Sequence, residues 1–470
     1  MTEETFDVVV IGLGSAGSRA AAQAHDAGAN VLAIEGGERI GGLCILRGCM
    51  PTKSLLEAAH IAHVVQDAER FGVHVGDSVR IDFDFQMQRM RDHVERFRRA
   101  KENGVRGAGY EIRMGRPRFV DPHTIEMDGG RIQAKSFVIS TGSKVADLPF
   151  EIDEGAQIKT SDDMFELALP PESAAVLGVG PVGLEFAQWM ARMGTDVHVV
   201  NRSRIGSKVD PEVGAELTAA LEEELQIHAP AFVRRIEPMA EGRSRLHLET
   251  ESGESQTLEV DFVLNALGRV PDFDGLDVEK AGLVIEDGRI SLDHHLQTRQ
   301  KHIFVAGDAV GEDLILHVAT TEGAYVGRNA ARAAGCLDGG LEGWNPEIPP
   351  VSVIFTDPPF ASVGESILGL EAKGVEFLEA TKKFAEQGRG ITMGTQHGMM
   401  RLLSEPGEGG SGRILGCQIA GPRADDLIQI VSTAMRLGAT PAEFMTVPWY
   451  HPTLAESFIE VARALVVKSG

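Results

Sequence analysis

Residues 6–17, FDVVVIGLGSAG, decide the fold of this chain. An apolar run ends in three glycines spaced as GxGxxG, and an alanine-rich, helix-like segment follows to about Ala27. A second strand-like run, residues 30–34, then ends at Glu35. This order of strand, glycine-rich turn, helix, strand and acid is typical of a dinucleotide-binding unit, in which a pyrophosphate approaches the helix N-terminus. We predict nucleotide contacts from Gly12, Gly14, Ser15, Ala16 and Gly17, and hydrogen bonds from a ribose to Glu35.

The same unit recurs in the middle of the chain. A strand-like run at residues 174–177 leads into residues 178–183, GVGPVG, and a helix-like segment and another strand-like run follow. A lone GxGxxG arises easily among 54 glycines, whereas a repeat in register does not. The coincident positions are Gly12, Gly14, Gly17, Gly28 and Val31 with Gly178, Gly180, Gly183, Gly194 and Val197. We therefore predict a second nucleotide site, with contacts from Gly178, Gly180, Pro181, Val182 and Gly183.

The two units differ at the position that contacts the ribose. Glu35 coincides with Asn201, which is followed by Arg202 and Arg204, with Lys208 nearby. A carboxylate repels a 2′-phosphate and arginines attract it, so the first unit suits the unmodified ribose of FAD. The second unit favours NADPH over NADH, with contacts predicted from Asn201 and Arg202. The alternative is that these basic residues form only a solvated loop.

Two cysteines, Cys44 and Cys49, follow the first unit in the segment GGLCILRGCMPTK. Positions five apart on a regular helix point about 140° away from each other. A disulfide between them therefore needs irregular backbone, which the glycines of this segment permit. A helix predicted over residues 51–69 would direct its positive N-terminal end toward the thiols and favour a thiolate. The pattern indicates a redox disulfide that exchanges electrons with a bound cofactor; two buried core cysteines are the structural alternative.

Length, charge and cysteine content limit the class of protein. The chain has 470 residues and a net charge of −24. The length predicts two or three domains, and the charge argues against nucleic acid and anionic membranes as partners. Only four cysteines, no signal peptide and no membrane-spanning apolar stretch predict a cytoplasmic protein. Cys336 and Cys417 lack companions at metal-ligand spacing and His294–His295 is interpreted as a loop pair, so no metal site is predicted.

Three further strand-like runs, residues 137–143, 261–269 and 303–309, end in turns. Ligands bind at the carboxyl ends of strands in such sheets, so Asp308 is predicted to reach sugar or ribityl hydroxyls. A helix N-cap is the alternative role for this aspartate. The proline-rich residues 344–350 predict a linker into a final domain with two helices, near residues 425–437 and 454–467.

The last motif is PWYHPTLAE at residues 448–456. Pro452 disfavours a helical conformation at His451, so the imidazole leaves an extended loop just before the final helix. Thr453 and Glu456 also match a capping box, which is the structural alternative for the glutamate. Spacing alone assigns no catalytic role to His451.

Taken together, these motifs resemble the flavin-dependent pyridine nucleotide–disulfide oxidoreductases, the family of dihydrolipoamide dehydrogenase and glutathione reductase. The resemblance covers essentially the whole chain in order: the first glycine motif, CxxxxC with PTK, the second glycine motif with Leu184 and Glu185, AxGR, GD and HPTxxE. It implies an α/β fold with two Rossmann-like nucleotide-binding domains and a C-terminal α+β dimerisation domain. The FAD-binding domain would comprise residues 1–147 and 275–348, the NAD(P)-binding domain residues 148–274, and the dimerisation domain residues 349–470. A homodimer would share its active site between subunits.

The resemblance also implies roles for individual residues. NAD(P)H would reduce the flavin, which would pass electrons to a Cys44–Cys49 disulfide. Cys49 resembles the thiolate against the flavin, and Cys44 resembles the thiol that attacks the substrate disulfide. His451 resembles the general acid and base, oriented by Glu456. The other implied residues are Lys53, beside flavin N5 and paired with Glu185, and the cofactor contacts Gly42, Gly115, Thr141, Gly142, Gly268, Gly307 and Asp308.

The substrate is less sharply indicated. PTKSLL at residues 51–56 and GPRADD at residues 421–426 resemble the dihydrolipoamide dehydrogenase branch, which favours a lipoyl-protein or small dithiol substrate. Arg47, between the cysteines, suits an anionic disulfide, and the basic second nucleotide unit resembles glutathione reductase. A non-catalytic redox sensor or complex subunit is a further alternative, disfavoured by the His451–Glu456 pair because a sensor needs no general base. Mercuric reductases carry a C-terminal cysteine pair that is absent from this sequence, and soluble transhydrogenases lack the redox cysteines.

Overall fold

The computed structural model describes residues 3–76, 79–207, 209–345, 350–407 and 410–468. The chain forms two compact units. The first comprises Met1–Ser54, Met87–Asp147 and Gly268–Asn345, and the second comprises Leu55–Gln86, Leu148–Leu267 and Pro346–Gly470. The three domain boundaries predicted from the sequence stay predictions.

A seven-stranded sheet forms the centre of the first unit. Glu3–Ile11 pairs in parallel with Val31–Glu35 on one side and with Gly130–Ile139 on the other. Val8, Val9 and Val10 are fully buried, as expected for a strand whose two faces are both covered. The sheet is completed by Glu111–Met114, Arg118–Asp121, Thr124–Met127 and Ile303–Val305.

Helices cover this sheet, and shorter elements connect its strands. Ser15–Asp26 and Leu316–Ala333 pack so closely that a Cβ at Gly323 would lie 2.2 Å from the carbonyl oxygen of Ala16. The other helices that lie wholly or partly in the first unit are Gly42–Leu46, Cys49–Gln66 and Phe83–Arg106, with 3₁₀ turns at Val278–Ala281 and Gly307–Val310. Two small antiparallel pairs are Ser143–Val145 with Arg269–Pro271 and Ile285–Glu286 with Arg289–Ile290.

The second unit contains its own parallel sheet. Ser173–Leu177 lies at the centre, between Asp196–Val200 and Phe262–Asn265. Gln226–His228 and Ile158–Lys159 form the edges, and the helices Pro181–Arg192 and Pro211–Leu221 belong to the same region. A four-stranded sheet adds Glu151–Ile152, Ala231–Pro238, Ser244–Thr250 and Ser255–Val260. Short 3₁₀ turns lie at Ala68–Phe71, Asp163–Glu166 and Ala240–Gly242.

The C-terminal part of the second unit is a five-stranded antiparallel sheet with helices. Its strands, in spatial order, are Ser352–Ile354, Phe360–Gly364, Gly410–Ala420, Met399–Gly407 and Leu378–Lys383. Its helices are Ile367–Lys373, Gly388–Thr392, Ala424–Arg436, Pro441–Phe444 and Ser457–Lys468, with 3₁₀ turns at Phe384–Glu386 and Leu454–Glu456. Two nucleotide-type sheets, the first mixed with a parallel centre and the second parallel, and an α+β C-terminal part confirm the predicted fold class. Residues 346–349 of the predicted linker lie outside the described residues.

The helices expected near the C-terminus and after the cysteines are present with shifted ends. The helix predicted over residues 51–69 spans Cys49–Gln66, so Cys49 is its first residue. It starts two residues earlier than predicted because only Arg47 and Gly48 interrupt the helical conformation after Leu46. The last predicted helix begins as the 3₁₀ turn Leu454–Glu456 and continues as Ser457–Lys468.

Candidate active site and nucleotide loops

The first nucleotide loop, Gly12–Gly17, turns sharply between strand and helix. Gly12 has φ +97°, and a Cβ there would lie 2.2 Å from the carbonyl oxygen of Ser140. A Cβ at Gly17 would lie 1.8 Å from the carbonyl oxygen of Gly12. Only glycine fits at both positions, so the loop backbone closes tightly onto the start of the helix at Ser15 and Ala16. The result is a helix N-terminus, at the carboxyl edge of the sheet, of the kind at which anions bind in other proteins.

Glu35 is held beside this loop. Its two carboxylate oxygens accept hydrogen bonds from the backbone N–H of Leu13, at 3.1 Å, and of Gly37, at 2.8 Å. The backbone N–H of Gly115 donates to the carbonyl oxygen of Glu35 at 2.9 Å, so both residues lie at the same sheet edge. This is the edge at which a ribose would lie if a dinucleotide occupied the loop.

The second nucleotide loop, Gly178–Gly183, repeats the first. Gly178 has φ +115°, and a Cβ there would lie 2.5 Å from the carbonyl oxygen of Ala266. A Cβ at Gly183 would lie 2.2 Å from the carbonyl oxygen of Gly178. Gly180 is the N-cap of the helix, and Pro181 and Val182 are its first residues. The internal repeat read from the sequence is therefore a repeat of backbone geometry.

The loop after Asp196–Val200 carries the residues predicted to read the second ribose. Asn201 Nδ2 donates to the carbonyl oxygen of Ser203 at 2.6 Å and to its hydroxyl at 3.1 Å. Arg202 and Arg204 are exposed. Lys208 lies outside the described residues. Asn201 thus shapes the turn, and the two arginines remain accessible to a ligand.

The remaining predicted cofactor contacts of the first unit gather near the first nucleotide loop. Gly42 and Gly14 are so close that a Cβ on Gly42 would lie 2.7 Å from Gly14 Cα, and a Cβ on Gly307 would lie 2.8 Å from Ala16 Cβ. Asp308 accepts a hydrogen bond from Ser143 at 2.7 Å.

Thr141 Oγ1 is buried and has no hydrogen-bond partner among the described residues. An orphaned hydroxyl beside a glycine-lined helix N-terminus fits a polar dinucleotide such as FAD. Gly142 and Gly268 lie beside the pair of strands Ser143–Val145 and Arg269–Pro271.

The two cysteines lie on either side of a helix break. Cys44 belongs to the short helix Gly42–Leu46 and Cys49 begins the next helix. The break is compact, since a Cβ on Gly48 would lie 3.3 Å from Cys44 Cα. The pKa of the Cys44 thiol is raised, first because it is hydrogen-bonded to Cys49 and second because it is partly buried, while the charge of Lys53 acts in the opposite direction. No disulfide bond is formed in the described part of the chain. Cys49 is the first residue of the longer helix, at the end where the helix dipole favours negative charge.

His451 and Glu456 are directly paired. His451 Nδ1 lies 3.0 Å from Glu456 Oε1 and 3.2 Å from Oε2. Glu456 Oε2 also accepts from the backbone N–H of Thr453 at 2.8 Å, so the capping role and the histidine-orienting role coexist. The pKa of Glu456 is lowered, first by the Thr453 hydrogen bond and then by His451. The imidazole is 81% exposed, which leaves its outer nitrogen accessible to another molecule.

Glu185 is 2% exposed in the helix Pro181–Arg192, and its carboxylate accepts from the backbone N–H of Phe355 at 3.0 Å. Lys53 lies on the helix that Cys49 begins, one turn after that cysteine. Because Lys53 and Glu185 belong to different compact units, their predicted pairing stays a prediction.

Several polar residues in this region were missed by the sequence analysis. Arg269 donates to Ser143, and the backbone N–H of Gly307 donates to the buried Glu322. Lys101 donates to the Ser18 hydroxyl of the helix Ser15–Asp26, and burial lowers the pKa of Lys101. Arg269 and Ser143 stand in the quoted strand-like runs, but their contact spans 126 positions and leaves no local signal.

Neither a metal cluster nor a membrane helix is found in the described residues. No group of three or more histidine, cysteine, aspartate or glutamate side chains within them is placed to hold a metal ion. Across the same residues, no helix combines the length and apolar character needed to cross a membrane.

Comparison with known families decides the relationship. Residues 6–328 match the pyridine nucleotide–disulphide oxidoreductase family, and residues 350–462 match the dimerisation domain of that family. The chain belongs to this family. The resemblance predicted from its motifs is thereby confirmed.

Full-length relatives of this oxidoreductase include several named enzymes. The dihydrolipoamide dehydrogenase of Chaetomium thermophilum is 32% identical over 480 residues, which cover 100% of this chain and 92% of the relative. The dihydrolipoyl dehydrogenase of Thermus scotoductus is 31% identical over 467 residues, with 98% of both chains covered. The mercuric reductase of Bacillus cereus is 30% identical over 96% of this chain and 70% of its own.

The fold of this oxidoreductase is also that of a solved structure. HOCl-induced flavoprotein disulfide reductase RclA from Escherichia coli has a TM-score of 0.83 at 22% identity, covering 97% of this chain and 99% of RclA. As a member of the family, the protein is a flavoprotein disulfide oxidoreductase, and the family implies FAD and NAD(P)H as cofactors. These findings confirm the enzyme class predicted from the sequence.

Proposed function

We propose that this enzyme is dihydrolipoamide dehydrogenase-like and moves electrons between NAD(P)H, FAD, the Cys44–Cys49 pair and a dithiol or disulfide substrate. The observation that carries this proposal is the position of Cys44 and Cys49 on either side of a compact helix break, with Cys49 at the N-terminus of an 18-residue helix. Bound FAD would supply hydride exchange with the nicotinamide and two-electron exchange with the cysteine pair, in either direction.

In the direction of dithiol oxidation, the reaction begins at the oxidised Cys44–Cys49 pair. A substrate thiolate attacks Cys44 Sγ of the oxidised pair, the bond between Cys44 and Cys49 breaks, and its electron pair stays on Cys49 as a thiolate. The second substrate thiol then loses its proton and attacks the first substrate sulfur, which releases Cys44. The substrate has lost two electrons and two protons, and the cysteine pair has gained two electrons.

His451 supplies the proton transfers in this scheme. Its Nδ1 faces Glu456 at 3.0 Å, so Nε2 is the nitrogen left to take a proton from the substrate thiol or return it to a leaving sulfur. Glu456 fixes the orientation of the His451 imidazole. Lys53, in its predicted pair with Glu185, is proposed to place its positive charge beside the flavin ring.

Reductive titration tests the assignment of the cysteines. After two-electron reduction with dithionite, we expect long-wavelength absorbance from a thiolate against oxidised flavin, lost in Cys49→Ser and retained in the control Cys336→Ser. Retention of that band in Cys49→Ser contradicts the assignment.

A second variant tests the role of His451. His451→Gln should keep flavin reduction by nicotinamide and lose most of the disulfide turnover. Unchanged disulfide turnover rejects the acid–base role of His451.

We propose a lipoyl group as the substrate. The motifs at residues 51–56 and 421–426, together with the full-length dihydrolipoyl dehydrogenase relatives, support this choice. An NADPH-dependent glutathione reductase-like activity is the second candidate, favoured by the exposed Arg47 between the cysteines. Anaerobic assays of dihydrolipoamide and oxidised glutathione with both coenzymes distinguish the two; activity with neither supports the redox-sensor alternative.

For the coenzyme, we propose NADPH over NADH. The exposed Arg202 and Arg204 follow Asn201 at the position where the first unit has Glu35, and guanidinium groups bind a 2′-phosphate well. The double variant Arg202→Ala/Arg204→Ala should lower kcat/KM for NADPH and leave that for NADH unchanged. A strong preference of the unaltered enzyme for NADH contradicts this proposal.

We further propose a cytoplasmic homodimer with a shared active site. The match to the family's dimerisation domain and the 81% exposure of His451 support the shared site, and the low cysteine content supports a reducing compartment. Mixing inactive Cys49→Ser and His451→Gln dimers under subunit exchange should restore about a quarter of the wild-type activity, since each hybrid holds one intact site. No recovery despite proven exchange contradicts the shared site.

A further inference from the structure

Arg269, Ser143 and Asp308 form a continuous hydrogen-bonded chain in the first unit. Arg269 Nε donates to the Ser143 hydroxyl at 2.9 Å, and Arg269 Nη2 donates to the Ser143 carbonyl oxygen at 2.7 Å. The Ser143 hydroxyl in turn donates to Asp308 Oδ2 at 2.7 Å. One guanidinium therefore fixes both the backbone and the hydroxyl of Ser143, and the hydroxyl has a single direction left for its proton.

These three hydrogen-bonded residues lie near the point where the polypeptide leaves the first unit and returns to it. Ser143–Val145 comes just before the polypeptide leaves the unit after Asp147, and Arg269–Pro271 comes just after it returns at Gly268. The two strands are antiparallel, and the backbone N–H of Ala146 donates to the carbonyl oxygen of Gly268 at 3.0 Å. The backbone of Arg269 is thus held by the pairing of the two strands, and its side chain is linked through Ser143 to Asp308.

Asp308 is fixed from a second side through its own turn. The backbone N–H of Gly307 donates to Glu322 at 2.8 Å, and Glu322 is 4% exposed. The backbone of the turn is held by Glu322 and the carboxylate by Ser143, so Asp308 is preorganised before any ligand binds.

We propose that Arg269 is a positioning residue for the flavin: it orients Ser143, which holds Asp308 in the rotamer that receives a ribityl hydroxyl. This inference rests on the proposed FAD site at the first nucleotide loop. It assigns the arginine of the AxGR motif a role in the first unit, although the motif follows the second nucleotide unit in sequence.

Flavin affinity tests the inference without relying on turnover. We expect the FAD dissociation constant, measured by flavin fluorescence on titration of apoprotein, to rise by about tenfold or more in Arg269→Met. Arg269→Lys, which keeps the charge and one donor direction, should recover part of the loss. The matched control is Lys144→Met on the partner strand, because the Lys144 ion pair with Asp274 is exposed at the surface.

A double-mutant cycle separates positioning from general stability. If Arg269 acts through Ser143, Arg269→Met/Ser143→Ala should bind FAD no more weakly than the weaker of the two single variants. Unchanged FAD affinity in Arg269→Met, or strictly additive losses in the double variant, overturns the inference. The proposed function fails differently: the unaltered apoprotein would then bind no FAD at all.

Discussion

The backbone N–H of Gly307 donates a 2.8 Å hydrogen bond to Glu322, a carboxyl that is 4% exposed. Burial is the first cause that raises the pKa of Glu322 to about 8, and the charges of Asp313, Glu312 and Asp308 act in the same direction. The Gly307 hydrogen bond acts the other way and is outweighed. The folded protein therefore keeps a proton on Glu322 at neutral pH.

This ionisation predicts a pH-dependent stability. Between the unfolded pKa of 4.5 and the folded pKa of about 8, the folded state binds one more proton than the unfolded state. The free energy of unfolding must then fall as pH rises through this window, by roughly 1.4 kcal/mol per unit at most. Glu322→Gln should remove this loss and be more stable than wild type at pH 9, by at most about 5 kcal/mol, which is the slope multiplied by the width of the window. Urea unfolding at pH 5, 7 and 9 measures the free energy of unfolding of both proteins. The same dependence of this free energy on pH in wild type and Glu322→Gln contradicts the prediction.

Replacing Cys49 should activate Cys44. The hydrogen bond to Cys49 is the first cause of the raised pKa of the Cys44 thiol, so Cys49→Ala should lower this pKa. We expect alkylation of Cys44 by iodoacetamide at pH 8 to become about tenfold faster or more, since the thiolate is the reactive form. Peptide mass spectrometry follows the labelling, with Cys336 in the same sample as the internal reference. Equal Cys44 labelling rates in wild type and Cys49→Ala refute this coupling.

Arg401 should be essential for the stability of the second unit. Its side chain is 5% exposed and donates through Nε to the fully buried Asp210 at 2.6 Å, with Glu212 and Glu379 as further partners. Arg401→Met leaves Asp210 as an unpaired buried charge, which should cost about 3–5 kcal/mol of unfolding free energy. Adding Asp210→Asn removes the charge and keeps an acceptor for the helix N-cap, so the double variant should regain part of the loss. No recovery in the double variant contradicts the charge-burial explanation.

The two nucleotide loops should fail independently. Alanine at Gly178 would place a Cβ 2.5 Å from the Ala266 carbonyl oxygen, and alanine at Gly12 would place one 2.2 Å from that of Ser140. Gly178→Ala should retain FAD and lose NAD(P)H binding, and Gly12→Ala should lose FAD. Flavin content after purification and coenzyme binding by calorimetry measure the two effects, with Gly28→Ala as a control of similar φ but open surroundings. Loss of flavin in Gly178→Ala with retained coenzyme binding would reverse the assignment.

The features that the sequence predicted well are local. The glycines at 12, 17, 178 and 183 predict tight turns that leave no room for a side chain, and the structure has such turns at both loops. The spacing of Thr453 and Glu456 predicted a capping contact between residues three positions apart, and that contact is present. The helix after the cysteines was placed correctly but begins at Cys49, because helix ends depend on which residues the surrounding chain keeps helical.

What the sequence left undecided depends on contacts between distant segments. The sequence motifs determined two nucleotide units, a cysteine pair in a glycine-containing segment next to a helix, and the family to which the chain belongs. The tertiary structure alone decided that Arg269 holds Ser143, that Glu185 accepts from Phe355, and that Glu322 keeps its proton. Hydrogen bonds over more than a hundred positions and the desolvation of a carboxyl leave no periodicity in the chain. They exist only once folding has removed water from around those groups.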